Sequence, residues 1–217
     1  MSKGRLISFE GGDGVGKSTQ IGQLESYLRD FGLNVVRVRE PGSTPGAERI
    51  RRIILEGEPD DWLPMSELLL MNAARHDLIE RIIKPALDNG SWVVADRFAD
   101  SSRAYQIAAG ELNPALAENV IQAATGGLEP DLTILLEFPM AEAFARIEEQ
   151  GGKERRFETK GVEFQRKALN AFYELHERYP QRVARVSAKG KVEEVRERII
   201  RLLETTFDLP MSAPNGR

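Results

Sequence analysis

The feature of this sequence that most constrains its fold is the segment EGGDGVGKST, residues 10–19. It contains the pattern Gly-x-x-x-x-Gly-Lys-Ser, which runs from Gly11 to Ser18. The apolar residues before it favour a β-strand, and the residues after it favour a helix. A glycine-rich turn at such a junction directs backbone N–H groups at one point, beside the positive end of the helix dipole. The segment therefore predicts a phosphate-binding loop in an α/β fold.

The side chains of this loop indicate how it would hold ATP. Lys17 can reach the β- and γ-phosphates, and the hydroxyl of Ser18 suits Mg²⁺. Asp96 ends the apolar run VVAD and is the second candidate ligand for that ion. The predicted ATP-binding residues are Gly11, Gly12, Asp13, Gly14, Val15, Gly16, Lys17, Ser18 and Thr19.

Five β-rich segments alternate with helical segments along the chain. Runs such as WVVA and LTILL are almost continuously apolar, which is typical of strands buried on both faces of a parallel sheet. The alternation predicts one doubly wound α/β domain over residues 1–206, followed by a flexible tail at 207–217. The predicted strands are Arg5–Glu10, Asn34–Arg39, Ser91–Asp96, Asp131–Glu137 and Arg182–Ser187. The predicted helices are Lys17–Phe31, Pro45–Glu56, Met65–Asp88, Asn113–Thr125, Met140–Glu149, Val162–Tyr179 and Val192–Thr206.

Composition excludes several classes of protein. The chain has no cysteine, which removes disulfides and thiolate metal sites. Its net charge of −4 argues against bulk binding of nucleic acid, so any anion site must come from local placement of Arg and Lys. No apolar run approaches the roughly 18 residues of a membrane span, and MSKGRLISFE leads into a strand without a signal region. We therefore expect a cytoplasmic protein that binds neither membranes nor nucleic acid.

Several arginines suggest a kinase whose acceptor already carries a phosphate. Arg97 follows Asp96 at the carboxyl edge of the predicted sheet, where ligands of such folds bind. Arg75 interrupts the apolar face of the third helix and Arg51 lies on the second, although each alone could be a solvated arginine. In SSRAYQ, residues 101–106, the Ser and Gln side chains could read the edge of a base, although a capping turn would also explain the segment.

A phosphate-binding loop does not by itself separate kinases from GTPase switches and other ATPases. The sequence has no N/T-K-x-D guanine motif, and SAKG at residues 187–190 is a weak signal for a switch. No Gln is placed in an obvious position to orient an attacking water. A kinase for a different nucleotide and a non-catalytic switch both remain alternatives on the residues alone.

Five segments together resemble the bacterial thymidylate kinases, which phosphorylate dTMP to dTDP with ATP. The resemblance covers nearly the whole chain to about residue 206. It implies a P-loop kinase fold with a five-stranded parallel sheet in the order 2-3-1-4-5 flanked by helices, a short lid, dependence on Mg²⁺ and a homodimer. The segments are FEGGDGVGKST, REPGSTPGAERIRRIILEG, ELLLMNAARHDLIERIIKPAL, VVADRFADSSRAYQ and EPDLTILLE.

The resemblance also implies roles for individual residues. Three arginines would clamp the dTMP phosphate, and one of them, Arg97, could also touch the transferred phosphoryl group. Ser102 and Gln106 would contact the edge of thymine, and Tyr105 would lie against the sugar. Asp13 occupies the acidic position of the family's loop, near the acceptor's sugar and the metal–phosphate region. The implied dTMP-binding residues are the clamp arginines Arg51, Arg75 and Arg97 together with Glu40, Met71, Ser101, Ser102, Tyr105 and Gln106.

The sequence departs from the family pattern at several positions. Met71 stands where a Phe often stacks on thymine, and Arg155 replaces an Asp in the segment GGKERRFE. That segment falls in a predicted lid at about residues 149–161, although a bare charged loop is often only a solvated surface. Arg156 aligns with the family's lid arginine. Gly14 lacks the Arg that some thymidylate kinases have, so we expect the lid to supply that charge. The implied catalytic residues are Asp13, Lys17, Arg97 and Arg156.

Overall fold

The protein folds around one parallel sheet of five strands, with helices on both faces. The computed structural model describes residues 4–137 and 160–209. The strands are β1 (Leu6–Glu10), β2 (Val35–Arg39), β3 (Trp92–Asp96), β4 (Leu132–Glu137) and β5 (Val183–Ser187). The helices are α1 (Lys17–Asp30), α2 (Pro45–Leu55), α3 (Pro64–Leu78), α4 (Lys84–Asp88), α5 (Ala99–Ser102), α6 (Pro114–Thr125), α7 (Val162–Arg178) and α8 (Val192–Phe207).

The strands lie in the order β2-β3-β1-β4-β5, which confirms the predicted order. Successive side chains of a strand point to opposite faces. Ile7 and Phe9 of β1 therefore pack in the cluster that includes α1 and α8, whereas Leu6 packs in the cluster that includes α3 and α6. Covering both faces in this way explains why the strand sequences are apolar almost throughout.

Strand register places the chemistry-bearing residues at one edge of the sheet. Phe9 of β1 pairs with Asp96 of β3 in parallel register. The loop that follows β1 and the carboxylate that ends β3 therefore emerge side by side. This edge is the one at which sheets of this type bind their ligands.

The described residues contain two π-helical segments, and the first interrupts a predicted helix. The helix predicted over Met65–Asp88 contains a π-helical turn, Ile79–Ile83, between α3 and α4. Pro85 explains this turn, because it lacks an N–H group and its ring would clash with the carbonyl of Arg81 in a regular α-helix. The backbone N–H of Lys84 instead reaches the carbonyl of Ile79, five residues back.

The second π-helical segment, Arg103–Ala109, follows α5 directly. It carries the residues that the sequence suggested for base recognition. The N–H of Gly110 donates to the carbonyl of Tyr105 at 2.9 Å, and that of Leu112 to the carbonyl of Ile107 at 3.0 Å. Such wide turns are frequent at functional sites.

The last helix ends close to its predicted residue, and three predicted segments lie outside the described residues. Helix α8 ends at Phe207, one residue past the predicted Thr206, and the Phe207 ring packs edge-on against Trp92 with 5.1 Å between centroids. The predicted helix Met140–Glu149, most of the predicted lid and residues 210–217 lie outside the described residues.

Candidate active site

The loop after β1 has the backbone conformation that its glycines predict. Gly11, Gly14 and Gly16 have φ values of 129°, 71° and 95°, a region that side chains with a Cβ atom rarely adopt. A Cβ atom on Gly11 would also lie 2.5 Å from the carbonyl oxygen of Leu136. Lys17, the first residue of α1, donates to the carbonyls of Gly11 at 3.2 Å and Gly12 at 2.7 Å. The ammonium group is thereby held over the loop.

The two predicted metal ligands are in contact. The hydroxyl of Ser18 donates to Oδ2 of Asp96 at 3.0 Å, so two oxygen ligands face the same point at the start of α1. Oxygen ligands suit Mg²⁺, which usually takes one or two protein ligands and completes its coordination with water and substrate phosphates. Across residues 4–137 and 160–209, no group of three or more His, Cys, Asp or Glu side chains could hold a metal ion. The pair Ser18 and Asp96 fits Mg²⁺ carried by a nucleotide.

A cavity of about 660 Å³ joins this loop to β2 and to the segment after β3. It brings together six of the nine predicted ATP-site residues with Asp96, Glu40, Arg51 and Arg97, whereas Gly11, Gly12 and Val15 are not among its lining residues. Two further guanidinium groups in its wall, from Arg37 and Arg39, were missed by the sequence reasoning. The sequence could have indicated them, because Arg37 and Arg39 alternate with a buried valine along β2 and so share its exposed side. The lining residues are Asp13, Gly14, Gly16, Lys17, Ser18, Thr19, Arg37, Val38, Arg39, Glu40, Ser43, Arg51, Asp96 and Arg97.

Asp13 is paired with Arg97 in this cavity. Nη2 of Arg97 donates to Oδ1 of Asp13 at 2.6 Å, and Nζ of Lys17 lies 3.7 Å from the same oxygen. Burial alone would raise the pKa of Asp13, but the charges of Arg97 and Lys17 bring it down to about 2. Asp13 therefore stays ionised at neutral pH and holds the Arg97 guanidinium beside the loop.

Glu10, which the sequence reasoning missed, holds Arg97 in place through Ser101. Its fully buried carboxylate accepts hydrogen bonds from the backbone N–H of Phe98 at 2.8 Å and the hydroxyl of Ser101 at 2.6 Å. Ser101 in turn accepts a hydrogen bond from Nη1 of Arg97 at 3.1 Å. Ser101, predicted to bind dTMP, is thus placed where it links Glu10 to Arg97, and it is not in the cavity wall. Arg97 has a φ of 72°, and these contacts hold it there.

Glu10 gives the folded protein a measurable pH dependence. Burial raises the pKa of Glu10 from about 4.5 to about 7, because the nearby charge of Arg97 offsets only part of the desolvation. The folded state then binds the proton more tightly than the unfolded state does. The contribution of Glu10 to the free energy of unfolding is therefore fully present below pH about 4.5, and it is lost as the pH rises through about 7.

Replacing Glu10 with Gln should remove this dependence. We expect the free energy of unfolding of the wild type, minus that of Glu10→Gln, to fall by about 3 kcal/mol between pH 4.5 and pH 8. Urea unfolding across that range measures it, with the exposed Glu197→Gln as control. A difference that stays constant from pH 5 to pH 8 would show that Glu10 does not titrate as its burial implies.

Arg75 lies below the cavity and does not belong to its wall. The residue is 2% exposed, and its guanidinium is held on several sides. It donates to Glu40 at 2.8 Å, to Oδ1 of Asn72 at 2.7 Å and to the hydroxyl of Ser102 at 3.1 Å. Met71, one turn earlier on α3, is half-buried. A direct role for Arg75 in the phosphate clamp stays a prediction, because its donors are occupied by protein groups in this structure.

The turn after β2 contains a cis peptide bond between Glu40 and Pro41. The carbonyl of Pro41 accepts a hydrogen bond from Nη1 of Arg51 at 2.9 Å, which ties Arg51, predicted to clamp the dTMP phosphate, to this turn. Oε1 of Glu40 is buried without a hydrogen-bond partner, whereas Oε2 binds Arg75. Burial raises the pKa of Glu40, against the lowering effect of Arg75.

The predicted base-reading residues lie behind Arg97. The guanidinium of Arg97 is 5.2 Å from the centroid of the Tyr105 ring, which also packs edge-on against Phe172. Burial raises the pKa of Tyr105 to about 12, so its hydroxyl stays protonated. Ser102 and Gln106 are buried on the same segment. The proposed lid residue Arg156 lies outside the described residues.

The family model for thymidylate kinase matches residues 9–199 of this chain. The chain belongs to the thymidylate kinase family. It is 44% identical to the thymidylate kinase of Caulobacter vibrioides over 195 residues, which cover 90% of this chain and 93% of that protein. It is 46% identical to the thymidylate kinase of Dinoroseobacter shibae over 198 residues, 91% of this chain and 95% of that protein.

A solved structure supports the same assignment. The crystal structure of thymidylate kinase from Ehrlichia chaffeensis is 27% identical and matches with a TM-score of 0.74. The match covers 93% of this chain and 99% of that chain. The thymidylate kinase family and the P-loop kinase fold inferred from the sequence are therefore confirmed.

Proposed function

We propose that this chain transfers the γ-phosphoryl group of ATP to the phosphate of dTMP, giving ADP and dTDP for dTTP synthesis. One observation carries the proposal: a single cavity joins a phosphate-binding loop to a wall of arginines, in a chain of the thymidylate kinase family. A nucleotide switch needs only the loop. A second, basic compartment suits an acceptor that carries its own phosphate.

The reaction needs little acid–base chemistry. The attacking phosphate oxygen of dTMP is already anionic near neutral pH, so no strong general base is required. The difficulty is to bring two polyanions together in line, and catalysis is then positioning with charge stabilisation. We infer that Lys17 and the loop N–H groups bind the β- and γ-phosphates, while Arg51 and Arg97 bind the dTMP phosphate. Mg²⁺ held at Ser18 and Asp96 would neutralise charge on the triphosphate.

Arg97 is the residue best suited to act on both substrates. Its guanidinium lies in the cavity wall between the loop and the acceptor side, paired with Asp13 and supported by Ser101. An arginine presents several donors in a fixed plane and can contact two phosphates at once. We propose that Arg156, from the lid, adds the second positive charge as the phosphoryl group moves.

A panel of acceptors tests the proposed function. Release of ADP from ATP is measured with dTMP, dUMP, UMP, CMP, AMP and GMP at equal concentrations. We expect dTMP to give the highest kcat/KM. A kcat/KM for another nucleotide well above that for dTMP would show that the chain is a kinase for that nucleotide. ADP release at a rate independent of every acceptor would indicate an ATPase or a switch.

We also propose a cytoplasmic homodimer. Among the described residues, no helix has the length and apolar character that a membrane span needs.

The neighbouring helices α2, α3 and α6 expose three large apolar side chains, which suits burial against a second copy. Sedimentation velocity tests the dimer. The three side chains are Ile53, Leu69 and Leu116.

A further inference from the structure

A buried carboxylate lies directly against the amide of Gln106. Nε2 of Gln106 donates to Oε1 of Glu67 at 2.8 Å. Nζ of Lys160 donates to the other oxygen, Oε2, also at 2.8 Å. Glu67 is 1% exposed, Gln106 is 2% exposed and the side chain of Lys160 is 13% exposed. These contacts connect α3, the second π-helical segment and the turn that precedes α7.

The local fold is built to bring Glu67 and Gln106 together. Glu67 lies in the first turn of α3, where the helix dipole favours a negative charge. A Cβ atom on Gly110 would lie 2.5 Å from the carbonyl oxygen of Gln106 and 3.2 Å from Cβ of Pro64. A Cβ atom at residue 110 would therefore clash with the Gln106 carbonyl and crowd Pro64 of α3, so glycine suits this close packing.

The chemistry of the pair fixes the direction of the Gln106 amide. An ionised carboxylate only accepts hydrogen bonds, whereas a carboxamide has one donating end and one accepting end. Turning the amide over would set Oε1 against a carboxylate oxygen, which is repulsive in a buried site. Lys160 supplies the countercharge that a buried carboxylate requires. Glu67 therefore keeps Nε2 turned toward itself, so Oε1 is the end of the amide that would meet a ligand.

We propose that Glu67 is a positioning residue that selects the base of the acceptor by fixing the polarity of Gln106. The proposal rests on dTMP as the acceptor and on Gln106 as the residue that meets the base edge. Thymine and uracil carry a hydrogen on N3 and donate to an accepting oxygen. Cytosine has a lone pair on N3, which would face the Oε1 lone pairs. A site with fixed polarity rejects the wrong edge more strongly than a site whose amide can turn.

Glu67→Gln tests this role because the two side chains have nearly the same shape, whereas the introduced amide would keep its one oxygen for Lys160 and turn its NH2 group toward Gln106. The Kd values of dTMP, dUMP and dCMP are measured by calorimetry on the full chain. We expect the preference for dTMP over dCMP to fall by about tenfold or more. The preference for dTMP over dUMP should stay the same, because the two bases share the same edge. The exposed Glu163→Gln is the matched control and should change neither ratio.

Exchanging the two side chains gives an independent test, which still decides the proposal if Glu67→Gln alone does not fold. In the double variant Glu67→Gln with Gln106→Glu, residue 106 again only accepts, so the preference for dTMP over dCMP should return toward that of the wild type. An equal loss for all three nucleotides in Glu67→Gln, or no change in the dTMP:dCMP ratio, would overturn the role of Glu67. A wild type that binds dCMP as well as dTMP would instead overturn the proposed acceptor.

Discussion

Replacing Arg97 with Ala is expected to lower kcat by about 10³-fold or more, which is the range for an arginine that acts on a transferring phosphoryl group. Arg97 lines the cavity, is held by Asp13 at 2.6 Å and donates to Ser101 at 3.1 Å. Its removal takes away the donors that can contact both phosphates. It also leaves the ionised Asp13 facing two polyanions without its main countercharge.

Steady-state kinetics with saturating ATP and dTMP measure the effect. Arg97→Lys keeps the charge but loses the planar set of donors, so we expect it to recover only part of the rate. Arg166→Ala, which removes an exposed guanidinium on α7, is the matched control and should leave kcat unchanged. Thermal unfolding of each variant separates lost chemistry from lost folding. A kcat for Arg97→Ala within tenfold of the wild type would remove Arg97 from the reacting centre.

Replacing Lys17 with Met should have an effect of similar size, about 10²- to 10³-fold on kcat, because a preorganised donor at the developing charge is lost. Lys17 is buried over the loop and donates to the carbonyls of Gly11 and Gly12. Burial lowers the pKa of Lys17, and the nearby charge of Arg97 acts in the same direction. Burial and the charge of Arg97 therefore destabilise the charged ammonium in the free protein, and the negative charge of a bound triphosphate would offset this destabilisation.

The Lys17 prediction is checked by kcat together with the KM for each substrate. We expect kcat to fall and the KM for ATP to rise, with a smaller change in the KM for dTMP, because Lys17 acts on the donor phosphates. Lys84→Met on α4 removes a half-buried lysine that lies outside the cavity wall, and it serves as the control. A variant that changes only the KM for dTMP would place Lys17 on the acceptor side and contradict the assignment.

The parts of the site that follow from local sequence were predictable. The glycine spacing and the flanking strand and helix specify the loop, and the apolar runs specify the strands. The contact between Ser18 and Asp96 depends on strand order, which the resemblance supplied. Once β1 and β3 are neighbours in parallel, the end of one must lie beside the loop of the other.

The remaining parts depend on geometry that periodicity does not reveal. The π-helical segment changes the spacing from 3.6 residues per turn, so helical spacing alone could not show how Ser101, Tyr105 and Gln106 would be directed. The roles of Glu10 and Glu67 come from partners far away in the chain, at Arg97 and Gln106. The sequence left open whether Arg75 is a solvated arginine or a phosphate-binding residue, and it did not reveal the buried contacts of Arg75 with Glu40, Asn72 and Ser102.

The fate of the γ-phosphoryl group tests the central claim most directly. The wild type is incubated with ATP labelled with ³²P at the γ-position and with dTMP, and the products are separated by chromatography. Direct in-line transfer predicts that the label appears in dTDP, in amounts equal to the ADP formed, and only when dTMP is present. Label that appears chiefly in inorganic phosphate, at a rate independent of dTMP, would contradict the account.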